Sequence, residues 1–216
     1  MLASVLTGLT ILVIGDSHLT NRNYLIDTLH NELQAQGASV HTFGVCGTNA
    51  GDWLKPTPGT CGAAERIENN RLSILPNNTQ TRPIKDLIGQ VKPDMVIVVM
   101  GDAMAGYDKG VFPKAWAWKS VTALTKEIAS TQTKCVWVGP AWGTEGGRYK
   151  KTFDRVQEVS DFLQQNVAPC HYINSLDMSK PGQWATTDGQ HFTASGYAKW
   201  GKAIAQQLTA DVAEKK

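Results

Sequence analysis

Residues 10–20 read TILVIGDSHLT. An unbroken apolar and β-branched run from Thr10 to Ile14 stops abruptly at Gly15-Asp16-Ser17-His18. A short run of this kind bounded by glycine reads as a buried strand, and the polar tetrapeptide after it as a strand-to-helix turn. A serine at such a junction has two uses. Ser17 or Asp16 can cap the first helical turn, the ordinary role of these residue types there. Alternatively, the hydroxyl can stand at the edge of a sheet, where a helix N-terminus favours negative charge. The second use requires a base from elsewhere in the chain and a sheet whose loops gather at one edge.

Comparable runs recur at SVHTFG (39–44), DMVIVVMG (94–101), KCVWVGPA (134–141) and CHYINS (170–175). Helical patterns lie between most of them. In residues 21–37 Leu25, Leu29 and Leu33 recur every fourth position and Gly37 supplies a stop. Residues 114–130, 153–167 (through Phe153, Val156, Val159 and Leu163) and 195–208 carry similar faces. Strands alternating with helices predict an α/β fold, a three-layer α/β/α sandwich with a central five-stranded parallel sheet. Ligands of such folds bind outside the carboxyl ends of the strands. The segments that follow the strands, GDSH, GVCGTNAGD, GDAMAGY and GPAWGTEGG, are rich in glycine and polar residues. Residues 44–83 have no clear period and are expected to form a functional loop or cap.

The chain has 216 residues and no composition break, which predicts one domain over residues 1–216. Its formal net charge is +2, with Lys and Arg scattered, so the basic stripe of a nucleic-acid partner is missing. The apolar start up to Gly15 is too short and too interrupted for a membrane span and lacks the basic head of a signal peptide. No membrane insertion is expected. The four cysteines permit two disulfides, Cys46 to Cys61 and Cys135 to Cys170, one of three connectivities; four reduced thiols are the alternative. Pairing is favoured because a long irregular loop gains from a cross-link, and it predicts a periplasmic or secreted protein whose export signal has been removed. No Cys-x-x-Cys, Gly-x-Gly-x-x-Gly or Walker-type loop is present, so neither metal nor cofactor is expected.

Five histidines are candidates for the base. His18 follows the serine itself. His30 lies in a helical pattern, and His41 and His171 in strand-like runs, which suits structural or surface roles. His191 stands in TTDGQHFTASGY (186–197), ahead of the last helix, with Asp188 three positions upstream. That spacing lets Asp188 orient one ring nitrogen while the other faces a nucleophile.

GDSH after the first strand and DGQH before the last helix resemble, in the right order and across nearly the whole chain, blocks I and V of the SGNH hydrolases, the GDSL esterase and lipase superfamily. The resemblance implies Ser17 as nucleophile, His191 as general base and Asp188 as its orienting carboxylate. It further implies Gly47, in FGVCGTNAG, as the block II glycine whose N–H joins that of Ser17 in the oxyanion hole. Block III departs from the family's Gly-x-Asn. VVMGDAMAGY keeps Gly101 but has Ala103 where the Asn side chain would complete the hole. Three readings fit: an Asn→Ala substitution introduced at 103, another donor such as Asn49, or an alignment offset by a residue. The family-like context favours the first. Asp102 is a poor replacement, because an ionised carboxylate only accepts hydrogen bonds.

The function this implies is a serine esterase acting on small acyl esters, O-acetyl above all, of a carbohydrate. An O-acetyltransferase with the same triad and a non-catalytic module that grips acylated glycans are the alternatives. The expected partner is an acylated small molecule or polysaccharide. Asn49, Trp53 and Trp142 are expected to line the substrate site, with Trp184 nearby, and Trp116 and Trp118 to be core residues of a helix. The basic stretch GGRYKK (146–151) suits either an acidic glycan or a solvated loop.

Overall fold

The computed structural model describes residues 5–213; residues 1–4, at the head of the apolar start, and 214–216 lie outside the described residues. The five expected strands form as β1 (Thr10–Gly15), β2 (Ser39–Val45), β5 (Met95–Val99), β6 (Lys134–Val138) and β7 (His171–Ile173), all mutually parallel. The sheet has seven strands rather than five. β3 (Ala63–Ile67) and β4 (Ser73–Leu75) extend it antiparallel beyond β2, giving the order β4-β3-β2-β1-β5-β6-β7. Both come from the segment without clear period, which is therefore a sheet extension as well as a loop.

Side chains alternate across a strand, and the two cores follow from it. Ile11 and Val13 of β1, with Met95, Ile97 and Val99 of β5, face α1 (Leu25–Ala35) and α5 (Ala194–Ala213). Leu12, Ile14, Val96 and Val98 face the other layer, built by α2 (Ile84–Val91), α3 (Lys114–Ser130) and α4 (Phe153–Asn166). A crossover through α1 leads from β1 to β2, while β5 lies on the other side of β1. The chain thus changes direction between β1 and β5. The crevice of an open α/β sheet lies at that switch point, beyond Gly15 and Val99.

Trp116 and Trp118 are not core residues: they are 44% and 52% exposed. The buried stripe of α3 runs through Ala117, Val121, Leu124 and Ile128, and the two tryptophans flank Ala117 about 100° to either side of it. The cysteines pair as Cys46–Cys61 and Cys135–Cys170. Among the described residues no helix is long and apolar enough to cross a membrane.

Candidate active site

Asp16 follows β1 and turns the chain into the short 3₁₀ segment Ser17–Leu19, capping it by accepting the His18 N–H on Oδ1 at 3.1 Å. With Asp16 as the cap, the Ser17 hydroxyl is left for other contacts. Its Oγ lies 2.7 Å from Nε2 of His191, which arrives from the loop before α5. Nδ1 of His191 lies 2.7 Å from Oδ2 of Asp188, and Oδ1 of Asp188 accepts the backbone N–H groups of His191 (2.8 Å) and Gln190 (3.0 Å). The loop therefore folds around the carboxylate, which fixes the ring plane. Serine, imidazole and carboxylate make one continuous chain of hydrogen bonds across 174 residues of sequence.

Burial opposes charge on Asp188, but the hydrogen bonds from the His191 ring and backbone outweigh it and hold the carboxyl below its ordinary value. His191 is shifted downward from an ordinary 6.5 by burial first, then by the neighbouring His18, against the opposing pull of Asp188 and Asp16. A base must be neutral to take a proton. On the esterase expectation that the sequence resemblance raises, turnover of an ester should rise with pH along a single acid limb whose midpoint lies below 6.5, and be level by neutral pH. A pH profile of kcat/KM on a neutral ester checks this; a midpoint well above 6.5 contradicts it.

Ser17 and His191 open into a cleft of about 740 Å³ that is also lined by Gly47, Asp102 and Ala103. Gly47 follows β2 in the left-handed region, φ +80°, and a Cβ there would lie 2.1 Å from Thr60 Oγ1. Only glycine suits the position. Thr60 is held over it by the N–H to Cys46 O bond of 3.0 Å and by the Cys46–Cys61 disulfide beside it. Removing that disulfide as a Cys46→Ser/Cys61→Ser pair is expected to lower kcat roughly 10- to 100-fold through misplacement of Gly47. Steady-state kinetics on the folded variant, against the wild type, test it.

Three expected substrate residues lie elsewhere. Trp53 is fully buried, edge-on to Phe43. Trp142 donates its Nε1–H to Leu176 O at 3.0 Å and packs on Phe153, away from the cleft lining. Asn49 caps the turn Ala50–Leu54, accepting the Gly51 N–H at 2.9 Å and meeting Asp52 with its own N–H groups, so it is no replacement donor. Trp184 is buried against Phe192. Tyrosines take their place: Tyr24 stacks at 5.9 Å on one side of the His191 ring, and Tyr149 meets it edge-on at 5.5 Å. Arg148 and Lys150 of the basic stretch stand on the cleft wall, while Lys151 is fully buried. Among the described residues no cluster fit for a metal ion is found.

Protein BcsX of Komagataeibacter xylinus is 42% identical to this chain over 205 residues, spanning 94% of the chain and 78% of BcsX. The chain belongs to the BcsX family. Comparison with models of known protein families finds no match. Among solved structures, the BcsX-family chain is similar to a GDSL-like lipase from Bacteroides thetaiotaomicron, with a TM-score of 0.60, 12% identity and coverage of 94% and 88% of the two chains. A peptidoglycan O-acetylesterase is similar at a TM-score of 0.60 and 14% identity, over 98% of this chain and 93% of its own. The fold of this BcsX-family protein is that of the SGNH hydrolases.

Proposed function

We propose that this BcsX-family protein is a serine esterase that removes small acyl groups, acetyl above all, from a carbohydrate. The observation that carries the reading is the line of two 2.7 Å contacts from Ser17 Oγ through His191 to Asp188. In the proposed reaction His191 Nε2 takes the Ser17 proton as Oγ attacks the ester carbonyl. The oxyanion is held by the backbone N–H groups of Ser17 and Gly47, and the same proton passes from His191 to the departing alcohol. Asp188 holds the imidazole in the required tautomer and stabilises the imidazolium. Water then attacks the acyl carbonyl as His191 takes its proton, and that proton passes to Ser17 Oγ as the bond to serine breaks and the acid leaves. Tyr24 and Tyr149 on the cleft wall suit contact with a sugar ring, and the similarity to esterases of acetylated substrates supports the acyl group. Two disulfides support an oxidising, extracytoplasmic setting.

Incubation with a chromogenic acetyl ester is expected to release nitrophenol with a burst of one equivalent. A phosphonate inhibitor is expected to add its mass at Ser17. One specific observation favours a second reading, a module that binds acylated glycans without cleaving them: Ala103, on the cleft wall, offers no side-chain donor. Absence of both burst and adduct, with acetylated oligosaccharide still bound and binding indifferent to Ser17→Ala, would decide for that module.

A further inference from the structure

A buried polar cluster next to the cleft has no part in the proton transfers just described. Lys151 is fully buried, and its Nζ donates to both carboxylate oxygens of Asp102, at 2.9 and 3.1 Å, and to Ala141 O at 2.9 Å. All three ammonium donors are thereby used. Asp102 also receives the hydroxyl of Tyr107, and its Oδ2 lies 3.0 Å from Nε2 of His18. His18 Nδ1 lies 2.9 Å from the Tyr197 hydroxyl. Burial by itself would raise the Asp102 carboxyl, but Lys151 and then the His18 hydrogen bond hold it well below the usual carboxylate range. Tyr107 is pushed far up by burial and by Asp102, so it stays a phenol that donates.

A buried ion pair is a poor way to gain stability, since apolar residues of similar volume often serve as well or better. The segments this pair joins give it another use. Asp102 opens the 3₁₀ turn Asp102–Met104 that brings Ala103 to the cleft wall. His18 is the direct neighbour of Ser17. Lys151 closes the loop 143–151 through paired backbone bonds with Gly146. That loop grips the acid–base segment: Arg148 N–H donates to Asp188 O at 2.9 Å and Thr144 N–H to Gly189 O at 3.0 Å. The approach is so close that a Cβ on Gly147, at φ +66°, would lie 2.1 Å from Asp188 O. One carboxylate therefore ties the serine segment, the block III turn and the clamp on Asp188 to a common point.

We propose that the Asp102–Lys151 pair is a positioning device for the reaction: it sets the Ser17 segment and the Asp188–His191 loop at their working separation. The proposal rests on the esterase reading and adds to it two residues that touch no reacting atom.

The test compares wild type, Lys151→Met, Asp102→Asn and the double variant Asp102→Leu/Lys151→Met, which removes both charges together. Three quantities are read: melting temperature, kcat and KM on a chromogenic acetyl ester, and the second-order rate of Ser17 labelling by a fluorophosphonate. The single variants are expected to lose melting temperature and rate together, each leaving a buried charge without its partner. The double variant is expected to recover melting temperature while kcat and labelling stay about 10-fold or more below wild type at little changed KM. Recovery of rate together with melting temperature would make the pair a structural element and overturn the proposal. Should the double variant fail to fold, His18→Phe cuts the link from Asp102 to the serine segment, with Tyr197→Phe as the control for the second His18 hydrogen bond that it also removes; His18→Phe is expected to slow labelling more than Tyr197→Phe, and wild-type labelling in it would equally overturn the proposal. A wild-type chain that is not labelled overturns the esterase reading and this one with it, whereas a labelled wild type with equally fast folded variants overturns this one alone.

Discussion

Ser17→Ala is expected to lower kcat on a chromogenic acetyl ester by between about 10⁴- and 10⁶-fold, and His191→Ala, or both changes together, by no more than that. The near-equality is the informative part. In the proposed reaction the Ser17 hydroxyl is a weak nucleophile until His191 Nε2, 2.7 Å away, removes its proton, so either loss stops the same event. Asp188→Asn is expected to cost about 10⁴-fold, because the amide leaves the imidazole in the wrong tautomer while its backbone contacts still hold the loop. Ser17 and His191 line the cleft, Asp188 stands behind His191, and none of the three belongs to either core, so melting temperatures should stay near wild type. Additive losses in the double variant would mean that Ser17 and His191 act separately, and retained turnover in Ser17→Ala would remove the serine from the reaction.

Ala103→Asn is expected to raise kcat about 10²-fold. A side-chain donor aimed at a tetrahedral oxyanion is worth about 10²- to 10³-fold where one has been removed, and this chain has a methyl group at the place the family resemblance assigns to it. Ala103 is exposed and lines the cleft, so an amide has room to enter without repacking the cores. The gain should fall on kcat with KM little changed, since the new bond forms fully only with the transition state. Ala103→Leu, which adds bulk without a donor, is the control. An Asn variant no faster than the Leu variant would show that the block III turn does not face the oxyanion here.

The centre of the parallel sheet was legible because β1, β5 and the end of β6 are dense apolar runs, as a strand buried on both faces has to be, while β2 (SVHTFGV) and β7 (HYI) mix polar residues into shorter apolar patches. β3 and β4 were not: AAERI and SIL are short, half-polar and lie at the sheet margin, where one covered face suffices. α2 is not legible either, since its eight residues hold barely two turns of periodicity between Pro83 and Pro93. The meeting of Ser17, His191 and Asp188 in one line of hydrogen bonds was legible because each sits in a short motif with a fixed place relative to a strand or helix. Tryptophan carries no such address, as Trp53 and Trp184 illustrate, because the same ring fills a core or floors a cleft. Lys151 was the hardest to read. A lysine in GGRYKK looks solvated, and only the fold brings Asp102, 49 residues away, within reach of it.

The two outermost strands, β4 and β7, are three residues long each. A margin that brief exposes few unpaired peptide groups, which blunts the tendency of sheets to recruit a strand from another molecule. Such a protein can reach high local concentration and still resist stacking edge to edge. Any assembly it enters is expected to be built through helix faces or the cleft rather than by lengthening the sheet.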